Sequence, residues 1–363
     1  MVPAPLQNGE SPGLAATPGC VRCGACMTVC PLYRHTGREG AVARGKLTLL
    51  ELFQAGRLNS PEALRDFLEY CLLCGACADK CAVGLPVPDL VKKARAEING
   101  QIGSAFRPSW VLARVAWQAP HLIPRAAPFA PLLNRLKDWL GEESGLAYRL
   151  WPALSLALQR FPNLQRTPFR RQAPSYLAGR SSLRLAFFSG CGTEALFPQA
   201  GLAFLRICEN LGAEVVIPPE QGCCGLLAES AGEVELSREQ AKRLVQSFGG
   251  LAVDFVVTAC ASCSYRLKRL GLVLADEPEA EAARRLAAKV REASEFLVQE
   301  AAYRPLPLVR PEGVVSRELG QARLAAYEAT GAGVLATSCS GCLVQLQRLA
   351  ANLKVVHLLE LLG

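Results

Sequence analysis

Short apolar runs alternate with amphipathic segments through the second half of the chain. Four of these runs have the length and composition of buried strands, and they span residues 183–188, 213–217, 253–257 and 334–336. Between the first two runs, residues 198–211 carry apolar side chains at helical spacing. Strands that alternate with helices are typical of α/β units on a largely parallel sheet. The pattern therefore predicts an α/β region from residue 181 onward.

Helical periodicity marks the first hundred residues. The pattern predicts helices over 46–55 and 61–70, and Ser60 followed by Pro61 is a typical start for the second helix. A chain of 363 residues is long enough for two or three domains. The predicted fold class is therefore α+β with several domains. No stretch of about 18 apolar residues runs without a charge, so no membrane-spanning helix is expected.

Cysteine is the unusual feature of the composition. The chain has 16 Cys against 3 His and 2 Met. Disulfide frameworks are typical of short secreted chains, and the first residues lack the basic and apolar regions of a secretory signal. We therefore expect reduced thiols in a cytoplasmic protein, where they serve metal or redox chemistry.

An internal duplication places eight of these cysteines in two identical patterns. Each pattern has the spacing C-x2-C-x2-C-x3-C with Gly-Ala before the third Cys, and the second follows the first by 51 residues. The members are Cys20, Cys23, Cys26 and Cys30 in the first pattern and Cys71, Cys74, Cys77 and Cys81 in the second. This is the spacing of bacterial two-cluster ferredoxins, in which three thiolates hold one cluster and the fourth crosses to the other. The duplication predicts an α-helical, ferredoxin-like domain.

The crossed arrangement predicts two 4Fe-4S clusters. Their ligands would be Cys20, Cys23, Cys26 and Cys81 for the first cluster and Cys30, Cys71, Cys74 and Cys77 for the second. Zinc is the alternative, although zinc modules usually pair widely separated C-x2-C units. Residues 44–46, Arg-Gly-Lys, either offer charge to an anionic cluster or a partner or form a solvated helix start.

A looser repeat lies downstream. Residues 258–263 and 337–342 each contain a C-x2-C pair directly after an apolar run, and they are offset by 79 residues. Each copy predicts a strand, a cysteine-containing turn and a helix. In the first copy Cys191 and the segment 222–225, Gly-Cys-Cys-Gly, lie upstream of the pair.

The cysteines of this first copy resemble those of the cysteine-rich CCG domain of heterodisulfide reductases and of iron–sulfur subunits of flavin-linked dehydrogenases. The matching residues are Cys191, Cys223, Cys224, Cys260 and Cys263. With the ferredoxin-like half and the segment 357–361, His-Leu-Leu-Glu-Leu, the chain resembles the glycolate oxidase iron–sulfur subunit family. The resemblance implies a third centre at these five thiols, either a non-cubane iron–sulfur cluster or zinc. A thioredoxin-like dithiol is the alternative for each C-x2-C pair.

The second CCG copy is incomplete, because Cys339 and Cys342 are its only cysteines. These two residues are either remnants or ligands lent to the first copy across a pseudo-symmetric interface. Cys208, on the apolar helix 198–211, is expected to be buried and not a ligand. The predicted domains are a flexible N-terminus (1–17), the ferredoxin-like domain (18–103), a helical linker (104–180), the first CCG copy (181–308) and a degenerate second copy (309–363).

The linker carries most of the net charge. Residues 104–171 contain ten Arg or Lys against three acidic residues, which is +7 of the +8 of the whole chain, and they hold all four Trp. Helices in 105–161 would either lie on an anionic membrane surface or pack between domains. The sequence has no recognised nucleic-acid module, so no nucleic-acid partner is expected.

The family resemblance implies an electron-transfer subunit. An FAD-containing partner subunit would oxidise a 2-hydroxy acid such as glycolate, and two 4Fe-4S clusters would carry the electrons towards a quinone-type acceptor, in the cytoplasm or on the inner face of the membrane. The chain has no GxGxxG, P-loop or HExxH motif, so no catalytic residue is assigned to it. The alternatives are a heterodisulfide-reductase-like subunit and a subunit of a lactate or glycerol 3-phosphate dehydrogenase.

Overall fold

The structure is a computed structural model. It describes residues 19–102, 127–139, 163–301, 327, 332–339, 342–343, 346–347, 350 and 353–362. The predicted flexible N-terminus, the interfacial helices of 105–161 apart from 127–139, and most of 309–331 lie outside the described residues. Contacts divide the chain into two units, the first built mainly from residues 1–105 and the second mainly from the rest.

Six α-helices form the described core of the first unit. They are α1 (Ala25–Val29), α2 (Pro31–Thr36), α3 (Ala43–Gln54), α4 (Pro61–Glu69), α5 (Ala76–Asp79) and α6 (Val87–Ile102), with a 3-10 turn at Glu39–Ala41 before α3. Ser60 caps α4 as predicted, since its Oγ accepts a hydrogen bond from the backbone N–H of Ala63 at 3.2 Å. Leu47 and Leu50 of α3 pack with Leu64 of α4 and Val91 of α6 in a buried apolar cluster.

A five-stranded sheet organises the second unit. Its strands are β1 (Tyr176–Leu177), β2 (Arg184–Phe188), β3 (Glu214–Val216), β4 (Phe255–Thr258) and β5 (Val290–Glu292), in the spatial order β1-β3-β2-β4-β5. All pairs are parallel except β1 with β3. The α+β fold with a largely parallel sheet is therefore confirmed, and three of the four predicted strands lie in this sheet.

Helices cover both faces of this sheet. The helices that follow the first six along the chain are α7 (Ala130–Asp138), α8 (Phe169–Gln172), α9 (Gly190–Ala195), α10 (Pro198–Asn210), α11 (Leu226–Ser230), α12 (Val234–Phe248), α13 (Ala261–Leu267), α14 (Leu270–Val273), α15 (Ala280–Lys289), α16 (Ala293–Gln299) and α17 (Leu358–Leu362). All of them belong to the second unit except α11 after its first residue and the first residue of α12, which belong to the first unit. Side chains of β2 alternate between two apolar clusters: Leu185 and Phe187 belong to one, Ala186 and Phe188 to the other. Because both faces of the sheet are buried at this strand, its apolar residues follow one another without polar residues between them.

A second, two-stranded sheet pairs β6 (Val334–Thr337) with β7 (Lys354–His357) in parallel. Its register sets Thr337 opposite His357, just as β4 and β5 set Thr258 opposite Glu292. The incomplete second copy thus keeps a strand pair equivalent to that of the first. Within the described residues, no helix has the length and apolar character needed to cross a membrane.

Replacing Phe187 should destabilise the second unit strongly. Phe187 is fully buried, stacks on Phe204 with centroids 5.1 Å apart and meets Phe169 edge to face at 5.3 Å. We expect Phe187→Ala to lower the free energy of unfolding by about 3–5 kcal/mol, since it leaves a cavity in a packed core. Anaerobic urea titration followed by circular dichroism measures the loss. Leu272→Ala, at a side chain 68% exposed, is the control and should change it by less than about 0.5 kcal/mol.

Candidate metal centres

The two duplicated cysteine loops have the same backbone conformation. Gly24 and Gly75 take left-handed φ values of 80° and 81°, and the equivalent non-glycine residues Arg22 and Leu73 take 53° and 55°. Left-handed conformations are costly for a residue such as leucine and persist where the surroundings impose them. Alternation of right- and left-handed residues turns successive backbone N–H groups toward one point, as in many iron–sulfur sites. The two loops therefore repeat each other in backbone conformation as well as in sequence.

The cysteines predicted to hold the first cluster line one pocket. Its walls include Cys20, Cys23, Cys26 and Cys81. Cys77 also reaches it, and Leu47, Leu85 and Val87 supply apolar walls. Three of the cysteines come from the first loop and one comes from the second.

The cysteines predicted to hold the second cluster line another pocket. Its walls include Cys30, Cys71, Cys74 and Cys77, together with Lys46. Burial, followed by the negative charge of the neighbouring thiols Cys71 and Cys74, raises the pKa of the Cys77 thiol to about 12. A bound cation would remove this penalty, because coordination holds a thiol as thiolate. The donor set of both pockets fits a 4Fe-4S cluster in the crossed arrangement.

The elements of the second unit bring the CCG cysteines together at the carboxyl ends of β2 and β4. Cys191 follows β2, and Cys260 follows β4. Gly190 has φ +62°, and a Cβ there would lie 3.1 Å from the Sγ of Cys263, so glycine lets these two loops approach closely. Gly225 has φ +88° and lies against Ser237, which accounts for the glycine after the cysteine pair.

The thiols of this region lie near enough to shift one another's pKa values in one continuous series. Neighbours in this series are Cys191 and Cys223, Cys223 and Cys224, Cys224 and Cys263, Cys263 and Cys260, Cys260 and Cys339, and Cys339 and Cys342. All five cysteines expected from the first copy are included. In the described part of the chain, no three His, Cys, Asp or Glu side chains converge at the spacing of a single metal ion.

Both second-copy cysteines join this series. The Sγ of Cys339 lies 3.3 Å from the hydroxyl of Ser262, and the backbone N–H of Ala261 points to the carbonyl of Ser338 at 3.3 Å. The hydrogen bond from Cys260, followed by that from Cys342, lowers the pKa of the Cys339 thiol. This arrangement favours the hypothesis of lent ligands over that of remnants. Cys208, in contrast, is fully buried among apolar side chains of α10 and its neighbours, as expected.

His357 fixes the loop of Cys260 from the second copy. Its Nε2 lies 2.8 Å from the carbonyl oxygen of Ala259, and its Nδ1 accepts a hydrogen bond from the backbone N–H of Leu359 at 3.2 Å. These partners assign the neutral ring with the proton on Nε2. Burial lowers the pKa of His357, which favours this neutral form. The ring occupies the position that Glu292 has in the first copy, where Glu292 caps α16.

Two residues that sequence reasoning did not identify organise the same site. Gln221 accepts a hydrogen bond from the backbone N–H of Ser189 at 2.9 Å and donates to the carbonyl of Phe187 at 2.9 Å, which ties the Cys-Cys loop to the end of β2. Arg266 is almost completely buried and donates to the hydroxyl of Ser237 at 2.6 Å. Hydrogen bonds from Cys191 and Cys224 lower the pKa of the Cys223 thiol, and the charge of Arg266 adds to this effect. A buried guanidinium beside thiols favours their anionic form.

Two family models match the chain. A 4Fe-4S dicluster domain matches residues 17–85, and a cysteine-rich CCG domain matches residues 185–268 and 308–347. The matches include all eight cysteines of the first unit and all seven of the thiol series. No solved structure matches the chain significantly.

Curated relatives are iron–sulfur and lactate utilization proteins. The chain is 30% identical over 289 residues to a probable glycolate oxidase iron-sulfur subunit of Bacillus subtilis, which is 77% of this chain and 65% of that protein. It is 35% identical over 117 residues to lactate utilization protein A of Geobacillus kaustophilus (32% of this chain, 48% of that protein) and 23% identical over 251 residues to an uncharacterized iron-sulfur protein of Methanococcus maripaludis (69% and 43%). The chain therefore spans less than two thirds of the length of these relatives.

Serine variants test the crossed ligand sets. We expect Cys81→Ser and Cys23→Ser to disrupt the same cluster, because both residues line the first pocket, and Cys30→Ser and Cys74→Ser to disrupt the other. Each variant should leave one reducible cluster, and its EPR signal and midpoint potential identify which one remains. If Cys30→Ser leaves the same signal as Cys23→Ser, each loop holds its own cluster and the crossed arrangement is wrong.

A second set of variants tests the lent ligands. If Cys339 holds part of a third centre, Cys339→Ser should lower the metal bound in excess of about eight irons per chain, the number that two 4Fe-4S clusters contain. Elemental analysis and acid-labile sulfide measure this. Cys208→Ala is the matched control and should retain the metal, since Cys208 lies in the apolar core. Unchanged metal in Cys339→Ser would identify that residue as a remnant.

Proposed function

Because this chain belongs with the iron–sulfur proteins that join a 4Fe-4S dicluster domain to a cysteine-rich CCG domain, we propose that it transfers electrons in an oxidoreductase complex. A flavin-containing partner subunit oxidises a 2-hydroxy acid, and this chain takes the electrons from the reduced flavin. Glycolate is the first candidate substrate, by similarity to the Bacillus subtilis protein. A quinone-type molecule is the proposed final acceptor.

The observation that carries this proposal is the pair of pockets in the first unit. Each is lined by the four cysteines of one crossed ligand set, three from one loop and one from the other, and Cys77 of the second set also reaches the first pocket. Such a set is the ligand count and distribution of a two-cluster ferredoxin. The clusters, when bound, supply reversible one-electron transfer. The chain's own contribution is to place the thiolates, to keep apolar side chains such as Leu47 and Val87 against the pockets, and to direct backbone N–H groups at the sulfur atoms.

We assign no substrate chemistry to this chain. His357 uses both ring nitrogens in hydrogen bonds to backbone groups, so it has no free nitrogen for a substrate proton. In this proposal the carbon–hydrogen bond of the 2-hydroxy acid would be broken on the partner, whose flavin would supply two-electron chemistry. The cysteines of the two pockets would hold the clusters, which would supply one-electron transfer.

Lactate is the alternative substrate, because the chain is also similar to lactate utilization protein A over about a third of its length. Glycerol 3-phosphate remains a further alternative. In each case the partner determines the substrate.

A specific observation favours a second candidate function, thiol–disulfide reduction. An open cavity of about 710 Å³ has Cys223 in its wall and is also lined by Arg170, Gln240 and Arg243. Cys223 is 4% exposed, so the cavity brings a substrate to the edge of the CCG site, as a heterodisulfide-reductase-like reaction requires. We propose that the CCG cysteines hold a third centre, a non-cubane iron–sulfur cluster or zinc, with Cys339 and Cys342 beside it.

The proposed location is the cytoplasm, with contact to the inner face of the membrane. Phe129, Leu132 and Trp139 of the linker are more than half exposed and follow one another at helical spacing on and beside α7. Arg135 lies in the last turn of the same helix. Apolar side chains next to a basic residue suit binding to an anionic lipid surface.

Reduction by substrate tests the main proposal. The chain is purified anaerobically with its native partners, and EPR is recorded after addition of glycolate, D-lactate or glycerol 3-phosphate. We expect glycolate to produce the signals of reduced 4Fe-4S clusters, because the partner's flavin passes electrons to this chain. A complex with Cys81→Ser is the control and should lose the signal of one cluster. A colourless preparation without acid-labile sulfide would exclude the proposal.

The same preparation separates the second candidate. In a Cys224→Ser complex, loss of disulfide reduction with both ferredoxin-like clusters intact would favour thiol–disulfide chemistry. Unchanged transfer from substrate to acceptor would show that the CCG site is not on the electron path to the quinone.

A further inference from the structure

A buried ammonium group lies in the wall of the second cysteine pocket. Lys46 is 1% exposed, and it lines this pocket together with Cys30, Cys71, Cys74 and Cys77. Its Nζ donates to the carbonyl of Ala41, the same oxygen that the Sγ of Cys30 approaches at 3.8 Å. Among the described residues, Lys46 has hydrogen bonds only to carbonyl oxygens and no ion pair with a carboxylate. The solvated helix start considered for residues 44–46 is therefore wrong for Lys46.

The position of Lys46 follows from close packing at the start of α3. A Cβ at Gly45 would lie 2.2 Å from the carbonyl oxygen of Glu39, so only glycine allows α3 to approach the 3-10 turn. This approach brings Nζ of Lys46 to the carbonyl oxygen of Ala41, in the wall of the pocket.

A second buried cation acts on the same pocket. Arg95 of α6 is 8% exposed, and its Nη2 donates to the carbonyl oxygens of Leu68 and Cys71, each at 2.7 Å. Lys46 and Arg95 thus place two basic side chains, both almost completely buried, next to the thiols of one pocket.

The first pocket is different. Its two cations are Arg22 and Arg44, and each is paired with a carboxylate. Arg22 lies 3.3 Å from Glu51 with its side chain 67% exposed, and Arg44 lies 2.8 Å from Glu39. Solvent screens the charge of Arg22, and in both pairs a carboxylate opposes the charge of the guanidinium, including that of Arg44, whose side chain is 25% exposed. The two pockets thus have similar thiol sets but different local charge.

We propose that Lys46, supported by Arg95, holds the second cluster at a higher reduction potential than the first, so that an electron taken up by the first cluster passes to the second. The inference rests on the proposed function. Reduction adds one negative charge to a cluster, and a buried positive charge nearby stabilises the reduced form with little screening from solvent. The electron that the second cluster gains is the one that the first cluster loses, and the reduced flavin of the partner supplies it.

Lys46→Gln tests this role, because glutamine keeps a donor for the Ala41 carbonyl while it removes the charge. The purified full-length chain, with both clusters, is titrated anaerobically with dithionite and followed by EPR. We expect the reduction equilibrium of one cluster to fall about tenfold, which is 59 mV for a one-electron couple, while the other cluster is unchanged. The cluster that shifts must be the one lost in Cys74→Ser.

Two control variants accompany Lys46→Gln. Lys46→Arg keeps the positive charge and should retain the reduction potential of the unaltered protein. Arg44→Gln removes the paired cation of the first pocket and should shift the potential of the second cluster little. Equal potentials in Lys46→Gln and the unaltered protein, or a shift of the other cluster, would overturn the inference. Loss of one cluster's iron in Lys46→Gln would also overturn it, because the role would then be structural. A chain without any iron or sulfide would instead contradict the proposed function.

Discussion

Negative charge on sulfur inside the protein is the constraint on which both cysteine sites depend. A thiolate loses its hydration when it is buried, so it must be stabilised by metal, by hydrogen bonds or by a nearby cation. In the first unit these are backbone N–H groups turned inward by left-handed residues such as Leu73, and the ammonium group of Lys46. In the second unit they are neighbouring thiols and the guanidinium of Arg266. The folds differ, but the electrostatic requirement is the same.

The incomplete second copy has kept what the first copy needs. Its strand pair β6 and β7 reproduces the register of β4 and β5, and His357 takes the capping position of Glu292. The side chain at this position has changed from a carboxylate that serves its own helix to an imidazole that also reaches Ala259, next to Cys260. The sequence of this copy has no cysteine upstream of Cys339, yet Cys339 shifts the pKa of Cys260. His357 and Cys339 thus both act on the loop of Cys260 in the first copy.

Local patterns predicted much of this structure. The apolar runs predicted β2, β3, β4 and β6 with bounds that are correct to within two residues. The cap at Ser60 was predictable because the two residues that it joins are only three positions apart in the sequence. Strands β5 and β7 were not predicted, since they are short and only their parallel neighbours make them strands. Gln221, Arg266 and Lys46 could not be assigned for a related reason. Their roles depend on burial and on partners distant in sequence, and a single polar residue in a helix or loop carries no signal of either.

Arg266 extends the charge argument to the third site. A guanidinium is never deprotonated in proteins, so a nearly completely buried one requires negative charge close by. Arg266 lies three residues after Cys263 on α13, and its charge adds to the hydrogen bonds from Cys191 and Cys224 that lower the pKa of Cys223. Thiolates that hold a metal centre would place negative charge beside this cation. Cys223 is itself buried, with 4% of its surface exposed, and it lies where the wall of the cavity meets the cysteine site. The cation and the cavity thus both lie next to Cys223, so an anionic centre there would be stabilised at the point nearest to solvent.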